Sequence, residues 1–331
     1  MAILELDDKD NKILRILTEN ARIPLKKIAK EIGVSREVVD YRIRRLEKLG
    51  IINHYVAKID MTKFCQNSYG IFLRLTNISQ TNLKKLINFF VNNPLTMWTS
   101  TMSGEWDIIT SFLTRNSTDL NDFLKGLESI AGKNLKEYGL LTYIKEIKNT
   151  FEDLFPVKKG KIKKEMFMMK TFPGKTIQLD EKDKKLLILL SQNAKLTNKK
   201  LSKYVKLTEE GVRQRIKNLQ KNGVIRGYRA LIDIYKLNLE IYYVLMKFNR
   251  INDKIEKDLE IFFENNPNVF YCARVVGKYD LIACITAKNR IHFHKILSNI
   301  RNQFSHNLKD FSTNIIFEEH KHTYLPTGIL N

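Results

Sequence analysis

The stretch Leu6-Asp7-Asp8-Lys9-Asp10 returns 173 positions later as Leu179-Asp180-Glu181-Lys182-Asp183. The same offset, without any gap, aligns Gly104 with Gly277. Chance matches do not keep one register over so long a segment, so the chain is a tandem duplication. Solenoid repeats have periods of roughly 20–50 residues, and this period is far longer. We call the two halves copy one and copy two and expect each to hold at least one complete domain.

Composition limits the class of protein. The chain has 331 residues, with 57 Lys+Arg against 36 Asp+Glu and a net charge of +21, while 43% hydrophobic residues argue against a disordered basic tail. This charge favours a polyanionic partner but does not by itself choose between DNA, RNA and a membrane surface. No apolar run approaches the ~20 residues of a membrane span, and residues 1–8 lack the pattern of a secretory signal. Cys65, Cys272 and Cys284 are too scattered for a disulfide framework or a zinc cluster, which indicates a cytoplasmic protein.

The first third of each copy has the pattern of a helix-turn-helix. Apolar residues at helical spacing predict helices over residues 7–19, 24–32 and 35–49, followed by a strand over 51–59. Gly33 ends the second helix, and Ser35 is a good N-cap for the third. Copy two repeats the pattern with helices over 180–192, 198–205 and 208–222. The sequence therefore predicts (winged) helix-turn-helix domains over residues 1–60 and 179–233.

The third helix of each copy is the candidate for the major groove of double-stranded DNA. The predicted DNA-binding residues are Ser35, Arg36, Tyr41, Arg42, Arg44, Arg45 and Lys48 in copy one, and Thr208, Arg213, Gln214, Arg215, Lys217 and Lys221 in copy two. Net charge is concentrated in the same regions: +4 over residues 7–60, +8 over 180–233 and +4 over 150–179. The alternative is a plain three-helix bundle whose charges solvate its surface, and this concentration of charge argues against it.

The rest of each copy alternates strand and helix patterns in the order βαββαβ. Strands are predicted over residues 68–75, 95–102, 106–113 and 135–147 in copy one, and over 241–248, 269–276, 279–286 and 310–319 in copy two. The order is ferredoxin-like, so we predict an α+β fold with ferredoxin-like domains over residues 61–150 and 234–331. Residues 151–178 form a predicted basic linker with a short strand pattern over 166–169. Its Gly174-Lys175-Thr176 triplet lacks the upstream glycine of a phosphate-binding loop.

Four short motifs occur in the same order in both copies. They are the opening Leu-Asp-x-x-Asp, the Asn-Ala-Arg/Lys end of the first helix, the strand motif Tyr55-Val56-Ala57 with Tyr228-Arg229-Ala230, and the hairpin Gly104-Glu105-Trp106-Asp107 with Gly277-Lys278-Tyr279-Asp280. Copy one adds the third-helix end over residues 42–52. In these motifs the chain resembles the Lrp/AsnC family of bacterial and archaeal transcription regulators. The resemblance covers nearly all of the chain except the linker and the last few residues.

The resemblance implies a DNA-binding domain joined to a domain that binds an effector and packs its sheet face to face with a second sheet. Because amino acids or similar small molecules bind near the hairpin turn in the family, it implies effector contacts from Ser103, Gly104, Asp107, Val276, Gly277 and Asp280. The alternative is structural, with the glycines making the turns and the aspartates capping them. Since this chain fuses two copies, we expect an intrachain pseudo-dimer, which leaves higher homo-oligomers open.

The two predicted recognition faces differ, so we expect operators with non-identical half-sites. Arg36 and Arg44 suit guanine edges, whereas Gln214 suits adenine. Glu209 and Glu210 disfavour close phosphate contact, so base contacts from copy two are the weaker part of this prediction.

We predict no catalytic residues, no cofactor and no metal site. His320 and His322 share one face of a predicted strand, but no third ligand has fitting spacing, which favours a structural or solvent role. One enzymatic alternative remains: siroheme decarboxylases resemble this family and combine two such units, with histidines of the sheet domain contacting the tetrapyrrole. The basic third helices and both hairpins favour a regulator. A third interpretation is an architectural protein that coats DNA without an effector.

Overall fold

The computed structural model describes residues 6–64, 67–155 and 177–330. The described residues form two compact units. The first contains residues up to Asp60, the segment that begins at Asn149, and residues 178–239; the second contains residues 61–148 and 240–330. Each unit therefore gathers the equivalent parts of both copies, with helix-turn-helix elements in the first and βαββαβ elements in the second.

The described elements follow the predicted order in both copies. Copy one contains α1 (Asp8–Glu19), α2 (Leu25–Ile32), α3 (Arg36–Lys48), β1 (Ile52–Ile59), β2 (Asn67–Leu75), α4 (Gln80–Asn92), β3 (Thr96–Ser103), β4 (Ile108–Thr114), α5 (Ser117–Ala131) and β5 (Leu135–Asn149). Copy two contains α6 (Glu181–Gln192), α7 (Asn198–Val205), α8 (Glu209–Lys221), β6 (Ile225–Ile232), β7 (Glu240–Phe248), α9 (Asp253–Asn265), β8 (Val269–Gly277), β9 (Leu281–Ala287), α10 (Arg290–Gln303) and β10 (Leu308–His322). The predicted fold class is confirmed.

Capping residues fix where the helices of the first unit begin and end. The Asp7 side chain accepts hydrogen bonds from the N–H groups of Lys9 and Asp10 at the start of α1, and Ser35 Oγ accepts one from Val38 N–H at the start of α3. Gly33 ends α2 with a φ of 71°, which a side chain disfavours. The inward face of α3 buries Val39, Ile43 and Leu46, and α8 buries their equivalents in copy two.

The first unit joins the two copies through one antiparallel strand pair, β1 with β6. Its register is reciprocal: Tyr55 lies opposite Ala230, and Ala57 lies opposite Tyr228, the residue equivalent to Tyr55. Backbone contacts outside the strands repeat this exchange, since Ala21 N–H donates to Tyr228 O (2.9 Å) and Ala194 N–H donates to Tyr55 O (2.7 Å).

Cation–ring contacts follow the same exchange. The guanidinium carbon of Arg22 lies 4.0 Å from the ring centroid of Tyr228, and Lys195 Nζ lies 3.7 Å from that of Tyr55. The strand pairing, the backbone hydrogen bonds and the cation–ring contacts between the copies thus each occur twice, with the roles of the two copies exchanged.

The second unit is a closed eight-stranded barrel with the order β10-β3-β4-β2-β5-β8-β9-β7. Each copy contributes four adjacent strands, and the two sets join at β5–β8 and β10–β3. β10 has 15 residues because it pairs first with β7, from Leu308 to Ile315, and then with β3, from Ile315 to His322. The barrel leaves no free sheet edge among the described strands.

Helices cover the outer face of each four-stranded set. In copy one Phe90, Phe112 and Phe123 form part of one core, and the Phe112 and Phe123 rings stack with centroids 3.8 Å apart. In copy two a separate core contains Phe263 and Phe293. Removing such rings from water is the main favourable contribution to this packing.

Aromatic side chains fill the space between the two sheets. Phe72 contacts Trp106, Tyr243 and Tyr279, with ring centroids 5.8, 5.9 and 6.5 Å away. The Trp98 ring stacks on the Tyr243 ring. Trp98, Trp106 and Tyr279 thus belong to the aromatic packing between the two sheets.

Two of the strands begin two residues later than predicted. Strands were expected from Trp106 and Tyr279, whereas β4 begins at Ile108 and β9 at Leu281. The intervening residues belong to the hairpin turns, because Asp107 N–H donates to Leu73 O and Asp280 N–H donates to Met246 O, which ties each turn to a neighbouring strand.

Several predictions fall on residues outside the described ranges. These are the role of Cys65, the strand pattern over 166–169, the Gly174–Thr176 triplet and most of the linker. Among the helices of the described residues, none is long and apolar enough to cross a membrane.

The segment that follows β5 packs against α1 within the first unit. Phe155 and Glu152 are buried there, and Arg15 Nη2 lies 3.8 Å from a Glu152 carboxylate oxygen. Burial together with the neighbouring Glu152 carboxyl raises the pKa of Glu19 to about 8, which outweighs the lowering effect of Arg15 and Lys58.

We predict that Glu19→Gln flattens the dependence of stability on pH. The folded state holds a proton that the unfolded state releases near pH 4.5, so this contribution is fully present below pH 4.5 and is lost as pH rises to about 8. The measurement is the free energy of unfolding in urea between pH 5 and pH 8.5, values that span most of this window. The exposed Glu31→Gln on α2 is the control and keeps the wild-type slope. Equal slopes for wild type and Glu19→Gln contradict the prediction.

Candidate DNA-binding face and hairpin site

The third helix of copy one presents a charged outer face. The Arg44 side chain is 76% exposed and Tyr41 is 68% exposed, and Arg36 and Lys48 are exposed beside them. Arg44 Nη2 lies 3.0 Å from Asp40 Oδ2, one helical turn away. Such exposed pairs contribute little to stability, so the Arg44 guanidinium can exchange this partner for a base edge or a phosphate.

The third helix of copy two presents different residues on the same face. Arg213 is 54% exposed and pairs with Glu210 at 2.6 Å. Gln214 Nε2 donates a hydrogen bond to Asn218 Oδ1 at 3.1 Å, and Lys217 and Lys221 are exposed. Thr208 caps the helix by accepting a hydrogen bond from Gly211 N–H (3.0 Å), as Ser35 does in copy one.

Three of the predicted DNA-binding arginines face the first helix of their own copy. Arg42 Nη1 lies 2.8 Å from both Asp7 Oδ2 and Asp10 Oδ1, and Arg45 Nη2 lies 2.5 Å from Asp10 Oδ2. In copy two Arg215 pairs with Asp180 (2.7 Å) and Asp183 (2.9 Å). Their ion pairs orient the third helix on the first, and phosphate contacts from them remain a prediction.

These ion pairs give the repeated Leu-Asp-x-x-Asp motif a physical role. Its two aspartates lie at the start of the first helix and receive the arginine of the third, a contact that the sequence analysis did not predict. The signal was present, because Asp10 and Arg42 both recur at the 173-residue offset as Asp183 and Arg215.

The hairpin glycines lie against the other copy. Gly104 has a φ of +145°, and a Cβ there would meet Thr313 O at 2.6 Å; Gly277 has a φ of +143°, and its Cβ would meet Leu140 O at 2.5 Å. Neither position can accept a side chain without a shift of backbone. The structural role of these glycines in the hairpin turns is therefore sufficient to explain why glycine stands at both positions.

The hairpin aspartates bind backbone groups of the neighbouring strand. Asp107 Oδ2 accepts a hydrogen bond from Leu75 N–H at 2.6 Å, and Asp280 Oδ2 accepts one from Phe248 N–H at 2.9 Å. Lys247 Nζ also lies 3.0 Å from Asp280 Oδ1. Ser103 and Val276 are exposed at the turns. Effector contacts from these residues remain a prediction.

Histidines and cysteines of the sheets have ordinary partners. His320 Nε2 lies 3.1 Å from Thr101 Oγ1, and His322 Nδ1 lies 3.3 Å from Glu319. Cys272 and Cys284 are buried free thiols, and burial raises the pKa of each. Within the described part of the chain, no three His, Cys, Asp or Glu side chains are grouped as metal ligands.

Family models match three parts of the chain. Residues 6–47 match the AsnC-type helix-turn-helix domain, residues 179–226 match a winged helix-turn-helix DNA-binding domain, and residues 243–326 match the Lrp/AsnC ligand binding domain. The fold and these matches define a DNA-binding protein with a ligand-binding sheet domain.

Curated relatives are transcriptional regulators. An uncharacterized HTH-type transcriptional regulator of Pyrococcus abyssi is 31% identical over 131 residues, which are 39% of this chain and 84% of the relative. The HTH-type transcriptional regulator FL11 of Pyrococcus furiosus is 28% identical over 127 residues, or 38% of this chain and 83% of the relative. The chain belongs to the Lrp/AsnC family of transcriptional regulators and carries the two-domain unit twice.

Similarity over almost the whole chain is found with solved siroheme decarboxylase structures. The crystal structure of the siroheme decarboxylase NirDL covers 97% of this chain and 97% of its own, with a TM-score of 0.62 and 14% sequence identity. This likeness concerns the fold alone.

We predict that Asp10→Ala destabilises the protein by about 1–3 kcal/mol, since it removes the buried carboxylate that accepts hydrogen bonds from two partly exposed arginines. Asp10 is fully buried, and Arg42 and Arg45 both donate to it. The matched variant is Asp183→Ala, which loses less because Asn218 stands where copy one has Arg45. Urea unfolding measures both. A larger loss for Asp183→Ala contradicts the assignment.

We also predict that Gly277→Ala destabilises the paired sheets by about 1–3 kcal/mol or more, from backbone strain and the close contact with Leu140 O. Gly132→Ala is the control, because Gly132 also has a positive φ (+49°) but no atom within 4 Å of its Cβ position. Thermal unfolding followed by tryptophan emission reports both variants. Equal losses exclude the close contact as a cause.

Proposed function

We propose that this chain is a cytoplasmic, sequence-specific DNA-binding transcriptional regulator that acts as an intrachain pseudo-dimer on non-identical half-sites. The observation that carries the proposal is the reciprocal pairing of β1 with β6, which joins two helix-turn-helix elements of one chain. Each of these elements has an exposed basic third helix. The functional domains proposed are residues 1–60, 61–150, 179–233 and 234–331, with residues 151–178 as a basic linker.

Differences at equivalent positions support unequal half-sites. Arg44 and Tyr41 of copy one correspond to Lys217 and Gln214 of copy two, and Arg36 corresponds to Glu209. A bidentate arginine prefers guanine and glutamine prefers adenine, so the two faces favour different base sequences. Lys48 and Lys221 are exposed near the helix ends and supply phosphate contacts that do not depend on sequence.

The second unit is proposed to bind an amino acid or a similar small molecule near the two hairpins. Support comes from the match to the Lrp/AsnC ligand binding domain over residues 243–326. Ser103 and Val276 are exposed at these hairpins, and Asp107 and Asp280 follow them four positions later.

Selection of bound sequences from random duplexes at two salt concentrations tests this function. Specific recognition enriches a composite site with two different halves, and its affinity falls as salt rises because bound counterions are released. Binding without enriched sequence indicates an architectural protein that coats DNA, and so does a footprint that grows without saturation.

We predict that Arg44→Ala and Arg213→Ala weaken binding at different halves of the selected site. Each loss is roughly 5- to 150-fold, the equivalent of ~1–3 kcal/mol for a bidentate base contact. Affinities for duplexes with one half randomised measure the effect. Lys133→Ala, which removes an exposed charge of the sheet domain, is the control. Equal losses on every duplex show that both arginines contact only phosphates.

The likeness to a siroheme decarboxylase over 97% of both chains supports a second candidate, a tetrapyrrole enzyme. A titration with an iron tetrapyrrole, followed by visible absorption, separates the two functions. A tight saturable complex without salt-dependent duplex binding favours the enzyme, and the reverse result favours the regulator.

A further inference from the structure

Equivalent residues of the two hairpins meet where the sheets pack together. Trp106 Nε1 lies 3.4 Å from the hydroxyl oxygen of Tyr279, and these residues are separated by 173 positions, the offset of the duplication. Glu105 and Lys278, also equivalent, lie 3.3 Å apart. A pair of equivalent residues in contact marks the local two-fold axis that relates the copies.

Glu105 and Lys278 belong to a larger cluster of charges around Trp106. Lys278 Nζ lies 2.7 Å from Glu137 Oε1, while Arg74 lies 3.4 Å from Glu105 and 3.6 Å from Glu137. Tyr279 donates a hydrogen bond to Glu105 Oε2 at 2.7 Å. We call Arg74, Glu105, Glu137 and Lys278 the axial cluster.

The groups around the axial cluster stabilise the charged forms of the Glu105 and Glu137 carboxylates. Partial burial alone would raise the pKa of Glu105, but hydrogen bonds from Tyr279, Ser312 and Lys278 and the charge of Lys278 lower it. The hydrogen bond from Lys278 also lowers the pKa of Glu137. Lys278 Nζ further lies 4.3 Å from the ring centroid of Trp106, which is fully buried.

The summed charges of the two copies are opposite at these positions, because Glu105 of copy one corresponds to Lys278 of copy two. Copy one contributes Arg74, Glu105 and Glu137, with a net charge of −1, and the equivalent Lys247, Lys278 and Asp310 of copy two have a net charge of +1. Pairing unlike copies sums to zero, whereas two copies of the first kind give −2 and two of the second give +2. Like charges brought together at a partly buried axis destabilise the contact.

We propose that the axial cluster makes the sheet pairing selective, so that copy one accepts copy two and rejects another copy one. The sheet face of copy one thus fits copy two, and the same chain supplies both. The inference deepens the proposed intrachain pseudo-dimer and rests on it. Two copies with identical hairpins would place Glu105 against Glu105, or Lys278 against Lys278.

Charge reversal in the full chain reproduces each rejected pairing. Glu105→Lys places two lysines at the axis, as a pair of second copies would, and Lys278→Glu places two glutamates there. We expect each reversal to lower the midpoint of thermal unfolding by roughly 2–4 °C. The double variant E105K/K278E restores the opposite charges and regains most of the loss. Tryptophan emission is the readout, since both tryptophans, Trp98 and Trp106, lie in this unit.

Two controls separate selectivity from packing. Lys125→Glu changes the net charge as Lys278→Glu does, at an exposed site on α5, and leaves the midpoint near that of wild type. Raising the salt concentration reduces the difference in unfolding midpoint between the wild type and each single charge-reversal variant, because screening weakens the repulsion. A double variant whose loss equals the sum of the single losses overturns the proposal.

DNA binding is scored independently. The axial cluster lies in the second unit and the third helices lie in the first. If the wild-type protein shows no sequence-specific duplex binding, the proposed function is wrong. If the losses in unfolding midpoint of the two charge reversals add up in the double variant, only the proposed selectivity is wrong.

Discussion

Backbone pairing between the outer strands of the two copies is the constraint on which the second unit depends. A four-stranded sheet has two edges with unpaired N–H and C=O groups, and such edges invite association with other chains. In this protein β5 pairs with β8 and β10 pairs with β3, so each copy closes both edges of the other. The inner aromatic core, the close approach of Gly104 and Gly277 and the axial cluster all follow from this closure.

The first unit solves a different problem, which is how to present charge while holding a short helix in place. On α3, Arg42 and Arg45 turn toward the aspartates of α1, whereas Arg36, Arg44 and Lys48 stay on the outer face. Basic residues of one helix thus serve two purposes according to their angular position. Apolar contacts set how closely the third helix packs on the first, but they have little directional preference. The ion pairs are directional, so they also fix the orientation of the third helix relative to the first.

Local patterns predicted most of the elements. Apolar spacing and caps placed both ends of the helix-turn-helix helices within one residue, since both signals arise from neighbours along the chain. The ends of β5 and β10 were less predictable: β10 was expected over residues 310–319 and runs from Leu308 to His322. Its last residues gain their partners from β3 of the other copy, and nothing in their own alternation records that partner.

The candidate site shows the same division. The outward residues of the third helices could be predicted from helical periodicity. The partners of Arg42 and Arg215 lie more than 30 positions away along the chain, so their sequence signal was only the recurrence of both residues at the repeat offset. The contact between Trp106 and Tyr279 was accessible in principle. Equivalent residues of a duplicated chain meet where the local two-fold axis between the copies passes. The sequence, however, does not show which residues lie at that axis.

The reciprocal β1–β6 pair has a consequence for the protein at low abundance. A dimer built from separate chains dissociates on dilution, so its folded and paired population depends on concentration. Here both partners of the strand pair are covalently joined, and their encounter is a first-order event whose effective concentration is set by the connecting chain. The pairing of β1 with β6 therefore persists at any number of molecules per cell, down to a single one.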